Sequence, residues 1–216
     1  MECSSHCCDT VFFCPWTHQE AKDGPVKWRT VFPAGTSHRV VVMEVIRPAR
    51  GRPRRGVTQV WSREASKPAE LAQYFGMSNA SKKVKQEFVE RLEERQFGPT
   101  LVMICGETNI VRTKRDSGRI IDEFGVRRRL RDFGTELILN PVHTYMRRYE
   151  MEKKRRALAV SGRWLVSVWN AGMSPSEAAL PWGAYYRGRD VSNKIEELDS
   201  PIPEQPGIRI GILKVE

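Results

Sequence analysis

After position 14 this chain of 216 residues contains one cysteine, Cys105. The other four, Cys3, Cys7, Cys8 and Cys14, crowd into the first 14 residues, so disulfides cannot staple the main body together. Free thiols and cytoplasmic residence are the expectation. No uninterrupted apolar run approaches the roughly 18 residues of a membrane span. The opening MECSSHCCDTVFF lacks the basic start and apolar core of a secretory leader. Also missing are a Walker phosphate loop and a dinucleotide fingerprint. A zinc site can be drawn from Cys3, Cys8, Cys14 and His18, but the paired spacings of a zinc finger are absent. Neither a metal nor a cofactor is expected.

Charge of one sign is in excess. Lys and Arg number 36 against 26 Asp and Glu, for a net charge of +10, which favours polyanionic partners without naming one. The excess sits in three runs: RPARGRPRR at 47–55, RRRLR at 127–131 and RRYEMEKKRR at 147–156. The first has no helical period and reads as a loop over 47–56, able to contact nucleic acid, with Trp61 close behind for base stacking. MEKKRR reads mostly as a solvated helix face.

Residues 1–33 form an irregular, Cys-rich segment with no sustained period, and 34–216 is expected to be a single α/β domain. HRVVVMEVI at 38–46 predicts a strand, and GVTQVW a second. Helices are predicted over 68–76 and over 78–97, where Val84, Phe88 and Leu92 recur every fourth residue. Gly98 and Pro99 stop the second helix, and TLVMI follows as a buried strand. Then come a basic helix over 120–132, a strand ELIL at 136–139 closed by Asn140-Pro141, a helix over 146–161 and a strand WLVSVW. Pro, Gly and Ser dominate from there to a last strand in IRIGILKV at 208–215. Alternating apolar strands and helices from 100 onward indicate a sheet covered by helices. Ligands of such sheets gather at strand carboxyl ends, where Cys105 with Glu107, Asn140 with His143, and Asn170 with Gly172 fall.

A thiolate attacks carbonyl carbon once its charge is favoured or a base is near. Placed directly after a strand, Cys105 has a fixed backbone, and the amides from Gly106 onward can face an oxyanion. Glu107 is a candidate acid or base, or an orienter of another group. With His143 as base and Glu107 as orienter, Cys105 completes a second possible arrangement. An inert, buried cysteine and a histidine satisfying the turn after Pro141 are the plain alternatives.

From GPTLVMICGETNI through DFGTELILNPVHT to RRALAVSGRWLVSVWNAG, residues 98–172 resemble the C-terminal half of the nitrilase, or carbon-nitrogen hydrolase, superfamily. The carrying features are Cys105 with Glu107, Gly134 with Asn140-Pro141, Arg156-Ala157-Leu158-Ala159, and Asn170-Ala171-Gly172. The resemblance implies a shortened α-β-β-α sandwich, pairing of two copies through helical faces, and attack by Cys105 on a small amide or nitrile to give a thioester. The family adds a glutamate base and a lysine that supports the tetrahedral intermediate. The nearest counterparts here are Glu44 and Lys67, neither in the family's usual surroundings. The expected function is a thiol-dependent amidase. A noncatalytic scaffold or binding protein of the same fold, and a basic nucleic-acid-associated protein using 47–56, are the alternatives.

Overall fold

The structure, a computed structural model, describes residues 10–12, 40–47, 55–62, 69–76, 79–114, 116–142, 149–169, 180–197 and 211–213. It divides into two compact units, Met1–Ala72 and Gln73–Glu216. The expected boundary at 33–34 lies outside the described residues.

In the first unit, β1 (Thr10–Phe12) runs parallel to β2 (Val40–Arg47), which pairs antiparallel with β3 (Arg55–Ser62). β4 (Ala69–Ala72) closes the sheet on the far side of β3. The β2–β3 ladder reaches Arg47 opposite Arg55, so the basic loop is narrower than 47–56, and its residues 48–54 lie outside the described set. The helix predicted over 68–76 is not formed. Ala69–Ala72 is a strand in which Leu71 is buried while Glu70 and Ala72 are exposed, a period of two. The helical propensity of AELA is weak over one turn, and hydrogen bonding to β3 overrides it.

In the second unit, Ser81 Oγ accepts from the Val84 amide and starts α1 (Lys82–Glu90). The helix is shorter than predicted. Leu92–Arg95 tightens into a 3₁₀ turn, and β5 (Gln96–Phe97) folds back on β6 (Thr100–Val102) across Gly98, whose φ is +58. A small ribbon joins β7 (Arg112–Thr113) to β8 (Ile120–Ile121), so 120–121 is strand where helix was expected. Helix α2 (Val126–Asp132) starts only after left-handed Gly125, φ +65, with Asp122 accepting from the Val126 and Arg127 amides at 2.9 Å.

β9 (Leu137–Val142), α3 (Tyr149–Leu158) and β10 (Trp164–Trp169) follow as predicted in kind. β9 continues through Asn140-Pro141 instead of closing there. The Leu139 carbonyl accepts from Met103, so the Pro141 nitrogen, two residues on, faces the same side, where β6 has already ended. The missing N–H therefore costs no ladder bond. β6, β9 and β10 are parallel, with Thr100, Leu137 and Trp164 in one row.

A stretch read as irregular supplies β11 (Trp182–Tyr186), turning at Arg187-Gly188 into β12 (Arg189–Asp190). Tyr186 stacks on Trp164 of β10 at 4.2 Å. The last strands, β13 (Ile195–Glu197) and β14 (Gly211–Leu213), pair with each other. The central sheet has the order β12-β11-β10-β9-β6-β5. It is flanked by helices, whose Phe88, Val89, Val126, Leu130 and Leu158 share one core with Leu101, Ile138 and Leu165 of the sheet. This is a mixed α/β arrangement. Among the described residues no helix is long and apolar enough to cross a membrane.

Leu165 is fully buried at the centre of this core. Leu165→Ala is expected to cost about 2–5 kcal/mol of unfolding free energy, measured by urea denaturation. Val166→Ala, on the neighbouring half-buried position, is expected to cost less.

Candidate functional site around Cys105

Beyond Val102 the buried residues Met103 and Ile104 carry the chain out of the sheet into a 3₁₀ turn, Cys105–Ile110. Cys105 has φ +46, a left-handed conformation that costs a residue with a Cβ about 1–2 kcal/mol. Two other non-glycine residues share it, Ser161 at +60 and Arg187 at +48. Both are exposed, and each precedes a glycine of positive φ in a tight turn. Cys105 differs: it is half-buried and lies between buried Ile104 and buried Gly106.

Three sets of contacts hold this backbone. Glu107, fully buried, accepts at Oε2 from the Ile104 amide at 2.6 Å and from Arg95 at 2.9 Å, and at Oε1 from the Tyr74 amide at 2.8 Å. Asn140 on β9 donates to the carbonyls of Met103, at 2.7 Å, and Cys105, at 3.2 Å, while its own oxygen accepts from Ser167 on β10. Gly106 lies so close to the Tyr74–Gly76 segment that an added Cβ would stand 1.8 Å from the Gly76 carbonyl oxygen. Asn109 donates to that same oxygen at 3.1 Å and accepts from Lys154 Nζ at 2.7 Å.

The electrostatics follow from burial. Burial pushes the Glu107 carboxyl up to about 7, and Arg95 with the Tyr74 and Ile104 amides keeps it from rising further. Arg95 is itself lowered by burial, with Glu107 opposing. Its guanidinium also lies 5.2 Å from the Tyr74 ring centroid and 5.3 Å from that of Phe88. Lys154 and Arg155, both buried on α3, are lowered by desolvation. The charges opposing the shift of Arg155 are Tyr185 first, then Cys105 and Glu152. The Arg155 guanidinium lies 6.0 Å over the ring of Trp169, the last residue of β10.

Of the residues singled out from sequence, the structure brings together Cys105 and Glu107, within one turn, and Asn140, which donates to the Cys105 carbonyl. Glu44 is on β2 of the first unit, in register with Thr58. Lys67, His143, Asn170, Gly172 and the Cys3, Cys8, Cys14 and His18 set lie outside the described residues. Among the described residues no group of three or more His, Cys, Asp or Glu can hold a metal ion. Sequence reasoning missed Arg95, Lys154 and Arg155. The last two were read as part of a solvated face, yet Met151, Lys154, Arg155 and Leu158 form the buried stripe of α3. The signal was present in that spacing of three and four. Comparison with models of protein families and with curated proteins finds no match.

Two outcomes are expected of this turn. Gly106→Ala drives a Cβ into backbone that cannot yield cheaply, so it should lower stability by about 1–3 kcal/mol in urea unfolding. Glu107→Gln should change the pH dependence. The folded carboxyl titrates at about 7 against an ordinary 4.5. Its contribution is complete below the lower value and is lost as pH rises through the higher one. Wild-type stability relative to Glu107→Gln should thus fall between pH 4.5 and pH 7. A relative gain over that interval would show that the fold favours the carboxylate instead.

Proposed function

We propose that the chain is a shortened nitrilase-like protein acting as a thiol-dependent amidase or related carbon-nitrogen hydrolase, with Cys105 as nucleophile. The observation that carries this is the left-handed φ of +46 at Cys105, on the strand-to-turn corner at the carboxyl end of β6. Strain of this kind persists only where surrounding contacts enforce it, and it clusters at reactive positions. Here Glu107, Asn140 and the Gly76 carbonyl enforce it.

In this reading the sulfur attacks the carbonyl carbon of a small amide. The S–C bond forms, the C–N bond breaks, and the amine leaves with a proton. Water then cleaves the thioester, releasing the acid and restoring the thiol. Backbone amides from Gly106 onward are the proposed oxyanion donors. Glu107 takes a positioning role, because its two oxygens already accept from three donors. His143 stays as the proposed base of this arrangement. A homodimer paired through helical faces belongs to the same proposal. The full commitment of Glu107 favours one second reading, a noncatalytic binding protein that kept the sheet.

Cys105→Ala is expected to abolish amide-directed turnover while leaving the far-ultraviolet circular dichroism spectrum unchanged. Turnover retained in that variant would eliminate the catalytic reading. Independently, Cys105 in the folded chain should react with a small neutral electrophile faster than the same residue in the denatured chain.

A further inference from the structure

We propose that the Cys105 site selects substrates carrying a negative charge beside the reacting carbon, and that Arg155 sets this preference. The inference rests on Cys105 being the nucleophile and adds the chemical class of what it attacks.

Arg155 is fully buried on α3, the helix that packs against the Cys105–Ile110 turn. Its guanidinium stands over Trp169, at the carboxyl edge shared by β9 and β10, and Cys105 leaves the same edge from β6. A buried charge is screened less than a surface one, so its potential extends further through the protein, towards the turn that α3 packs against. The other charges around the turn are of both signs, with Asp190 acting on Tyr185, which is hydrogen-bonded to Arg155. On the turn itself, Glu107 is offset by Arg95 at 2.9 Å. On α3, Lys154 adds a second buried cation, while Glu150 and Glu152 are the acidic residues. Glu152 opposes the Arg155 shift less than Tyr185 and Cys105 do. On β11, Tyr185 carries a phenol that burial pushes further from ionising. An electrophile bearing a carboxylate is therefore drawn towards Cys105, whereas a neutral one of equal size is not.

Iodoacetate and iodoacetamide test this directly. Both alkylate by the same displacement, in which the S–C bond forms and iodide leaves, and they differ in one negative charge. Rates at Cys105 are read by peptide mass mapping, which separates it from Cys3, Cys7, Cys8 and Cys14. Taking the ratio of the two rates at one pH cancels the thiolate fraction. In the folded wild-type chain the iodoacetate-to-iodoacetamide ratio should exceed that of the denatured chain by about tenfold. Arg155→Met and Arg155→Gln should bring it to within about twofold of the denatured value, and Arg155→Lys should keep most of the preference. A wild-type ratio no higher than the denatured one overturns the inference without any variant. So does an unchanged ratio in a folded Arg155→Met or Arg155→Gln chain. A Cys105 inert to both reagents instead removes the nucleophile itself, and with it the catalytic reading.

Discussion

A single carboxylate organises the region on which the functional reading depends. Glu107 has no access to solvent, and its two oxygens accept from the Tyr74 amide, the Ile104 amide and the Arg95 guanidinium. The Ile104 bond shapes the chain immediately before Cys105. The Tyr74 bond ties the turn to a segment more than thirty positions upstream. Burying a carboxylate is costly, and three donors offset only part of that cost here, since Glu107 is still pushed up to about 7. The left-handed backbone at Cys105, worth about 1–2 kcal/mol of strain, is small beside that commitment. The polar contacts inside the core thus decide where the sulfur sits, while the apolar ones decide that the core forms at all.

Much of the central sheet was legible because its strands are buried on both faces and read as continuous apolar runs. WLVSVW became a strand where expected and TLVMI did so over Thr100–Val102, and their parallel partnership with β9 followed from the helices between them. What misled was local propensity in short segments. AELA is a helix former by composition but a strand by partnership with β3. The β11–β12 hairpin hid inside a region rich in Pro, Gly and Ser, although WGAYYRGRD carries an aromatic strand followed by an Arg-Gly turn. Long-range pairing cannot be read from one window of residues, and each of these errors is an instance of it.

The candidate site was legible to a different degree. Cys105 and Glu107 announced themselves by position after a strand. So did Asn140, at a strand end, whereas Arg95, from the 3₁₀ turn after α1, and Gly76, from the segment before α1, did not, because they arrive from elsewhere in the chain. Lys154 and Arg155 illustrate a more general difficulty. Charged side chains on a helix are ordinarily taken for its wet face, since they are rarely buried without partners. On α3 they occupy the inward stripe between Met151 and Leu158. A stripe position held by a cation is therefore a stronger signal than the same residue in an outward position.

Those inward cations bear on how the turn and the helix act together. Lys154 reaches Asn109, which also bonds the Gly76 carbonyl, the same atom that leaves no room for a Cβ at Gly106. The amine thus braces the C-terminal part of the turn, as Glu107 braces its start. Arg155, one residue on, is buried with its guanidinium over Trp169. Bracing and buried charge are consequently supplied by adjacent residues of one helix, and on the proposed role of Arg155 a shift of α3 would alter the geometry of Cys105 and the potential around it at the same time. A rigid turn with a neutral helix behind it would present a sulfur without preference. A charged helix behind a loose turn would present a preference without a fixed sulfur. The arrangement combines both constraints on a single backbone corner.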